Sequence, residues 1–505
     1  MKRLGVTMAA AVPLLIGMSG GAPADEPGLT PIEELGKFFF YDTRLSTPRG
    51  KQGCVSCHEP KVGWVLPLSE VNETTVGAPG AQPGAVGGRK TPSNAYVSFS
   101  PEFQATGSPF PPRFEGGNFW DGRAEGCGTP LGLAGAQDND DADCLLGDGS
   151  VSETITVDDL PNALHVEYLG ATADQALNPT FRPGVEQNTR EKTVCQLVKT
   201  GPYKYLYEQV WGEPIDCKQQ GDPPAYHTSF KRLAVAVAAW QASDDVNSFS
   251  SRRDACINQD YDPINGIKDA DGKFPCDNLS AEANLGHDIF YGRNDTGENR
   301  LVEGRRGPAP LNAGCTTCHI GDAEGNVDRT GNATTELYSD HGYHCIGIPY
   351  NRDIPNNEFG ADSGLGEHVL LDNAKGCAKT PTVRNVAKDE LGITKAFMHN
   401  GYFKSLEQVV HWYNTYQDPS VPKCETLTDG DGNDISIVNA TAAEAIAAGC
   451  WPKEEFTPQT PPGFGNLGLN KDEEAALTAY MEALTDMHTP TVPDMSRNSH
   501  NKNKK

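Results

Sequence analysis

Past its first two dozen residues the chain has no run of about 20 apolar residues, so no later segment is long enough to cross a bilayer as a helix. Strand-like alternation of apolar and polar residues is scarce, which argues against an all-β architecture. Positive charge is also in short supply: 42 Lys and Arg face 68 Asp and Glu, a net charge of −26. Such a surface repels nucleic acid and would steer in a basic partner, at a rate that falls as salt rises.

The chain opens with Lys2 and Arg3, continues through an apolar stretch to Met18, and reaches Ala22-Pro23-Ala24. Residues 1–24 therefore read as a secretory signal peptide, and the mature protein is expected to be exported, in a bacterium to the periplasm. Removing this segment takes away two basic residues and no acidic one, leaving a mature charge near −28.

Gly53-Cys54-Val55-Ser56-Cys57-His58 recurs with a different filling as Gly314-Cys315-Thr316-Thr317-Cys318-His319. Cys-x-x-Cys-His is the attachment signature of c-type haem, in which two thiols add to the vinyl groups and the histidine ligates the iron. A redox dithiol or half a zinc site would use the cysteines without needing the histidine. Two covalently bound haems are expected, at Cys54, Cys57 and His58 and at Cys315, Cys318 and His319. Ten of the 14 cysteines remain, an even number that suggests disulfides in an oxidising compartment. Pairing neighbours in order would close five modest loops, although sequence alone leaves connectivity open.

The motifs sit in a larger repeat. Glu34-Leu35-Gly36-Lys37-Phe38-Phe39-Phe40-Tyr41 precedes the first, and Asn284-Leu285-Gly286-His287-Asp288-Ile289-Phe290-Tyr291 the second. Each reads as a short amphipathic helix leading toward a haem site, so two cytochrome c-like halves are the economical reading. The expected fold is mainly α, with two haem domains, long loops and disulfide-rich insertions. Residues 25–278 would form the first domain, 279–490 the second and 491–505 a disordered tail. Phe230 to Ala242 reads as a buried helix, and Asn470 with Glu473 as a capping box before a helix from Glu474 to Leu484. Cys127 to Asp159, Asn258 to Asn278 and Cys424 to Cys450 read as insertions. Asp429-Gly430-Asp431-Gly432-Asn433-Asp434 lacks the distal glutamate of an EF-hand and reads as a solvated turn.

With the haem motifs, Phe119-Trp120-Asp121-Gly122-Arg123-Ala124, Lys379-Thr380-Pro381-Thr382-Val383-Arg384-Asn385 and Met398-His399-Asn400-Gly401 through Glu407, the chain resembles the bacterial dihaem cytochrome c peroxidase family, MauG-like branch. The resemblance spans most of residues 30 to 485. It implies that hydrogen peroxide reacts at the His58 haem and that the His319 haem stores or relays electrons. It also implies Tyr413 as the second ligand of the relay haem, where the peroxidases carry methionine. Leu406, Val409, Val410 and Tyr413 follow helical spacing behind a Ser405-x-x-Gln408 capping box, which turns Tyr413 toward the core. Met398 is the rival ligand. No histidine lies between His58 and His165, so the loop that holds a distal histidine in the peroxidases holds none here.

By the same resemblance Glu186 is the acid/base candidate for peroxide cleavage, Gln175 its companion, and Trp120 the ring between the haems. Thr394 and Ala396 match carbonyl positions of an interdomain calcium, whereas Lys90 stands where its asparagine ligand is expected. His341 and His344 are expected to line the second haem pocket or the surface, with a copper or zinc site as the alternative. Three functions follow: a MauG-like oxidase of a partner protein, a cytochrome c peroxidase fed by a small cytochrome or copper protein, or a non-catalytic dihaem electron carrier.

Overall fold

The computed structural model describes residues 28–106, 113–126, 154–179, 186–259, 261–262, 266–267, 276–291, 313–319, 336–354, 361–460 and 463–496. Residues 1–24, read above as a signal peptide, Cys127, Cys144 and the last nine residues lie outside them. Helices dominate, and strands among the described residues are confined to three two-stranded antiparallel pairs. No helix of the described residues is long and apolar enough to cross a membrane.

Two helix crossings organise the molecule. Helix Pro31–Tyr41 starts behind a Thr30 capping box and buries Leu35, Phe39 and Phe40 against helix Ala225–Gln241. Helix Ala281–Tyr291 buries Ile289 and Phe290 against helix Lys471–Ala483. A glycine sits at each crossing. A β-carbon on Gly36 would stand 1.9 Å from the Ala236 carbonyl oxygen, and one on Gly286 would stand 1.9 Å from that of Ala476. Only hydrogen fits in that space, so the repeated Leu-Gly encodes close backbone approach. The Ala225–Gln241 helix begins five residues before the segment read from sequence. Lys471–Ala483 begins directly behind Asn470, whose side-chain oxygen accepts from the Asp472 and Glu473 amides.

A buried ionic seam joins elements from both ends of the chain. Arg253 forms a two-pronged pair with Glu336 at 2.6 and 2.8 Å, and the Tyr291 and Tyr338 hydroxyls donate to the same carboxylate. The Arg384 guanidinium contacts Asp254 and Asp486 and lies 4.7 Å from the Tyr96 ring centre. Four disulfides lie among the described residues: Cys195–Cys217, Cys256–Cys276, Cys345–Cys377 and Cys424–Cys450. All four follow the order of the chain.

Candidate functional site

Both haem motifs form single 3₁₀ turns, Cys54–Ser56 and Cys315–Thr317, that present their cysteines at the rim of a cavity. Cys54, Cys57, Cys315 and Cys318 are the unbridged cysteines of the described residues. His58 Nδ1–H donates to the Trp64 carbonyl at 3.1 Å, and His319 Nδ1–H donates to that of Tyr338 at 3.0 Å. Since a carbonyl can only accept, each ring keeps the lone pair on Nε2, the arrangement a metal-ligating imidazole needs. Burial lowers both histidines, His58 to about 4, so both rings are neutral.

The first cavity holds about 2690 Å³ and the second about 1590 Å³, counting space at their mouths. Their donor sets fit haem: two thiols and one oriented imidazole each.

The first cavity has a polar wall. Glu186 and Gln175 line it, with Gln175 on helix Ala171–Leu177. Burial pushes the Cys54 and Cys57 thiols up to about 12, with the Glu186 carboxylate as the next cause, so Glu186 stands close to the attachment sulfurs. Gln187, whose amide nitrogen lies 3.9 Å from Cys54 Sγ, was not singled out from sequence. Neither was the ion cluster opposite. Arg89 makes a two-pronged pair with Asp362 at 2.6 and 2.7 Å and also contacts Asp121, which Arg123 meets at 2.8 Å. Although burial opposes it, the Arg123 and Arg89 charges hold Asp121 well below the usual carboxylate range. His368 also lines this cavity, with Nε2 3.0 Å from buried Glu125. It arrives from some 300 residues beyond His58, which local spacing could not foresee.

The second cavity is walled largely by hydrocarbon, including Phe290, Leu406, Val409, Val410, Leu477 and Met481. Tyr413 and Met398 both line it. Tyr413 rides on helix Leu406–Thr415, where Ser405 Oγ accepts from the Gln408 amide. The capping box is only half formed, because the Gln408 side chain reaches one residue further back, to the Lys404 amide at 2.7 Å. Burial raises Tyr413 far above an ordinary phenol, with Cys318 and then Cys315 as the next causes, so its hydroxyl lies near both sulfurs. His344 lines the same cavity and meets Asp340 at 2.7 Å beside Cys318. His341 is not part of that group; it lines a smaller void beside Trp120.

One ring stands between the cavities. Trp120 lines both, its indole N–H donating to the Lys90 carbonyl at 2.8 Å and its own carbonyl accepting from the Lys379 amide at 3.0 Å. Lys90 also lines both, with Nζ 5.9 Å from the Trp120 ring centre. Burial pushes the Lys90 ammonium down to about 8.

The residues matched to an interdomain calcium do not fit one. The Thr394 carbonyl accepts from Asn72 Nδ2 at 2.9 Å, and the Lys395 ammonium beside it bonds the Val386 and Lys388 carbonyls at 2.8 and 3.0 Å. Ala396 lines the second cavity together with Lys90 and Lys395. A hard cation needs six to eight oxygens, whereas here the Thr394 carbonyl is already engaged and Lys90 brings a nitrogen in place of an amide oxygen.

Comparison with known proteins agrees with this geometry. Residues 31–262 match the family model described as di-haem cytochrome c peroxidase. Over 500 residues the chain is 24% identical to the methylamine utilization protein MauG of Paracoccus denitrificans, covering 96% of each protein. It is 22% identical to cytochrome-c peroxidase IdrP2 of Denitromonas iodatirespirans, over 95% of this chain and 90% of that one. The diheme peroxidase BthA of Burkholderia thailandensis superposes with a TM-score of 0.56 at 23% identity, over 92% of this chain and 90% of that one.

Proposed function

The chain belongs to the dihaem cytochrome c peroxidase family, on its MauG-like branch, and is an oxidoreductase; from that premise we propose an exported enzyme that reacts with hydrogen peroxide in the first cavity and oxidises a partner protein through the second. Residues 25–278 and 279–490 would be its two haem domains. Haem, held by thioethers at Cys54 and Cys57 and at Cys315 and Cys318 and ligated by His58 and His319, would supply the redox chemistry of each site. The observation that carries the reading is Trp120, a buried ring walling both cavities and tied by hydrogen bonds to residues of each half.

The chain's own groups divide the work. Glu186, beside the first attachment sulfurs, would carry a proton between the two peroxide oxygens, with Gln175 orienting the bound peroxide. Tyr413 would offer its phenol oxygen in the second cavity. Its raised pKa keeps it protonated until a cation sits on the oxygen, and an anionic oxygen ligand favours high oxidation states. Disulfides and the signal-like start support export.

Electron paramagnetic resonance of the ferric protein, before and after stoichiometric peroxide, tests this on wild type and Tyr413→Phe. One high-spin and one low-spin haem, both losing signal with peroxide and only the low-spin one altered by the substitution, is the expected result. Two low-spin haems inert to peroxide would leave an electron carrier. Met398 supports the second reading, because it lines the same cavity as Tyr413. Loss of peroxide turnover with reduced cytochrome c in Met398→Leu, but not in Tyr413→Phe, would establish a cytochrome c peroxidase instead.

A further inference from the structure

The seam between the two halves is rich in main-chain carbonyls, and the chain's own nitrogen donors occupy them. Lys395 is 8% exposed, and its ammonium meets the carbonyls of Val386 at 2.8 Å, Lys388 at 3.0 Å and Asn385 at 3.5 Å. An ammonium has three donors and no acceptor, so three carbonyls match it. The first half closes the cage: a β-carbon on Gly63 would stand 2.4 Å from the Asn385 carbonyl oxygen and 3.3 Å from Lys395 Nζ. A second bond crosses the seam where the Asn72 side-chain amide donates to the Thr394 carbonyl. Lys90 completes the set at the wall shared by both cavities, close enough that its charge is felt at Lys395.

We propose that the cationic bridge between the two haem halves is supplied by the chain itself, through Lys395 in its carbonyl cage and Lys90 beside Trp120, so that the haem environment does not depend on calcium. Fully protonated, the two groups carry the formal charge of one divalent ion, although burial, and next the charge of Lys90, pushes Lys395 down to about 7. Lys395 already engages the carbonyls of Asn385, Val386 and Lys388, and both ammonium groups repel such an ion at short range. Burying an ammonium without partners is unfavourable, and the three carbonyls of the cage offset part of that penalty. This holds whichever partner the enzyme oxidises.

The test uses the holoprotein as purified. After exhaustive treatment with a calcium chelator, the expected result is an unchanged melting temperature and unchanged haem resonance lines. Adding back calcium should move neither. A bound calcium whose removal lowers the melting temperature and shifts the haem lines would overturn the proposal. Lys90→Asn sharpens the test by removing one ammonium and supplying an amide oxygen. That variant is expected to gain a calcium-dependent rise in melting temperature, as any ligand that binds only the folded state produces. An equal calcium response in wild type and Lys90→Asn would also overturn it. Should the variant fail to fold, the chelator experiment on wild type still decides.

Discussion

The first cavity carries an ion cluster on its wall where the second is lined largely by hydrocarbon, yet the two are built on one plan. Each has a glycine-seated helix crossing, a 3₁₀ turn bearing two thiols, and an imidazole whose Nδ1–H is committed to a carbonyl. Arg89, Asp121, Arg123, Asp362, Gln175 and Glu186 surround the first; Phe290, Val409, Val410 and Tyr413 surround the second. The lesson is that the two sites share the groups that would hold a haem and differ in what surrounds them. Proton traffic needs polar groups near the reacting oxygens. On the proposed function, an anionic oxygen ligand in the second cavity would favour high oxidation states.

The sharpest way to break this division is at Glu186. Glu186→Gln keeps shape and removes the transferable proton, so the rate of the peroxide reaction should fall by about 10²–10⁴-fold, the usual contribution of general acid–base catalysis. Stopped-flow mixing with peroxide measures it. A loss smaller than tenfold would move the proton role to another group of the first cavity, and His368 with Glu125 would be the next pair to change.

A second substitution asks whether the halves are one cooperative body. Arg384→Met leaves the buried carboxylates of Asp254 and Asp486 without their guanidinium partner, which should destabilise the fold by about 3–5 kcal/mol. Calorimetry should then show the single transition broaden or split. A melt that stays sharp and shifts little would mean that the seam contributes little to coupling.

A third compares the two crossings directly. Gly36→Ala and Gly286→Ala each insert a methyl group where 1.9 Å is available, and overpacking of this kind destabilises by about 1–3 kcal/mol. Similar losses of denaturation midpoint are expected from the two variants. If one is tolerated, the halves are not structurally equivalent and the shared plan holds only at the haem motifs.

What was legible in the sequence was local. Cys-x-x-Cys-His, the Leu-Gly of the paired helices and the Asn470 capping box declare themselves within a few residues, because the chemistry or the hydrogen bond closes within one turn. Four disulfides followed chain order for the same reason: short loops bring neighbours together. The inward position of Tyr413 was legible because helical spacing and motif offset agree, and its helix carries it, like Met398, to the lining of the second cavity. The Gln408 side chain misled at a distance of one residue, since Lys404 N competes with Ser405 N for the same oxygen. Arg89 with Asp362, His368 with Glu125 and the Lys395 cage were invisible. Their partners come from distant segments, and no periodicity records which loop will fold across a seam.

The smallest predicted effect concerns acid, and it separates the two helix crossings again. In the first, Asp245 receives the Lys37 ammonium at 2.6 Å, the Trp240 indole N–H at 2.9 Å and His488 at 3.1 Å. Burial alone would raise this carboxyl, and Tyr41 lies within electrostatic reach, but these donors hold it below its ordinary value. At the position matching Lys37 the second helix carries His287, so that crossing lacks the lysine bridge. A carboxyl depressed in the folded state stabilises it fully above the unfolded pKa of about 4. That contribution is lost as pH falls through the lower folded value, because the unfolded chain takes up the proton first. Asp245→Asn should therefore flatten the dependence of melting temperature on pH below about 4, while the two proteins keep parallel slopes above it. Identical slopes below that point would mean that this pair has no part in acid lability, and that Asp486, held low beside Arg384, is the next carboxyl to test.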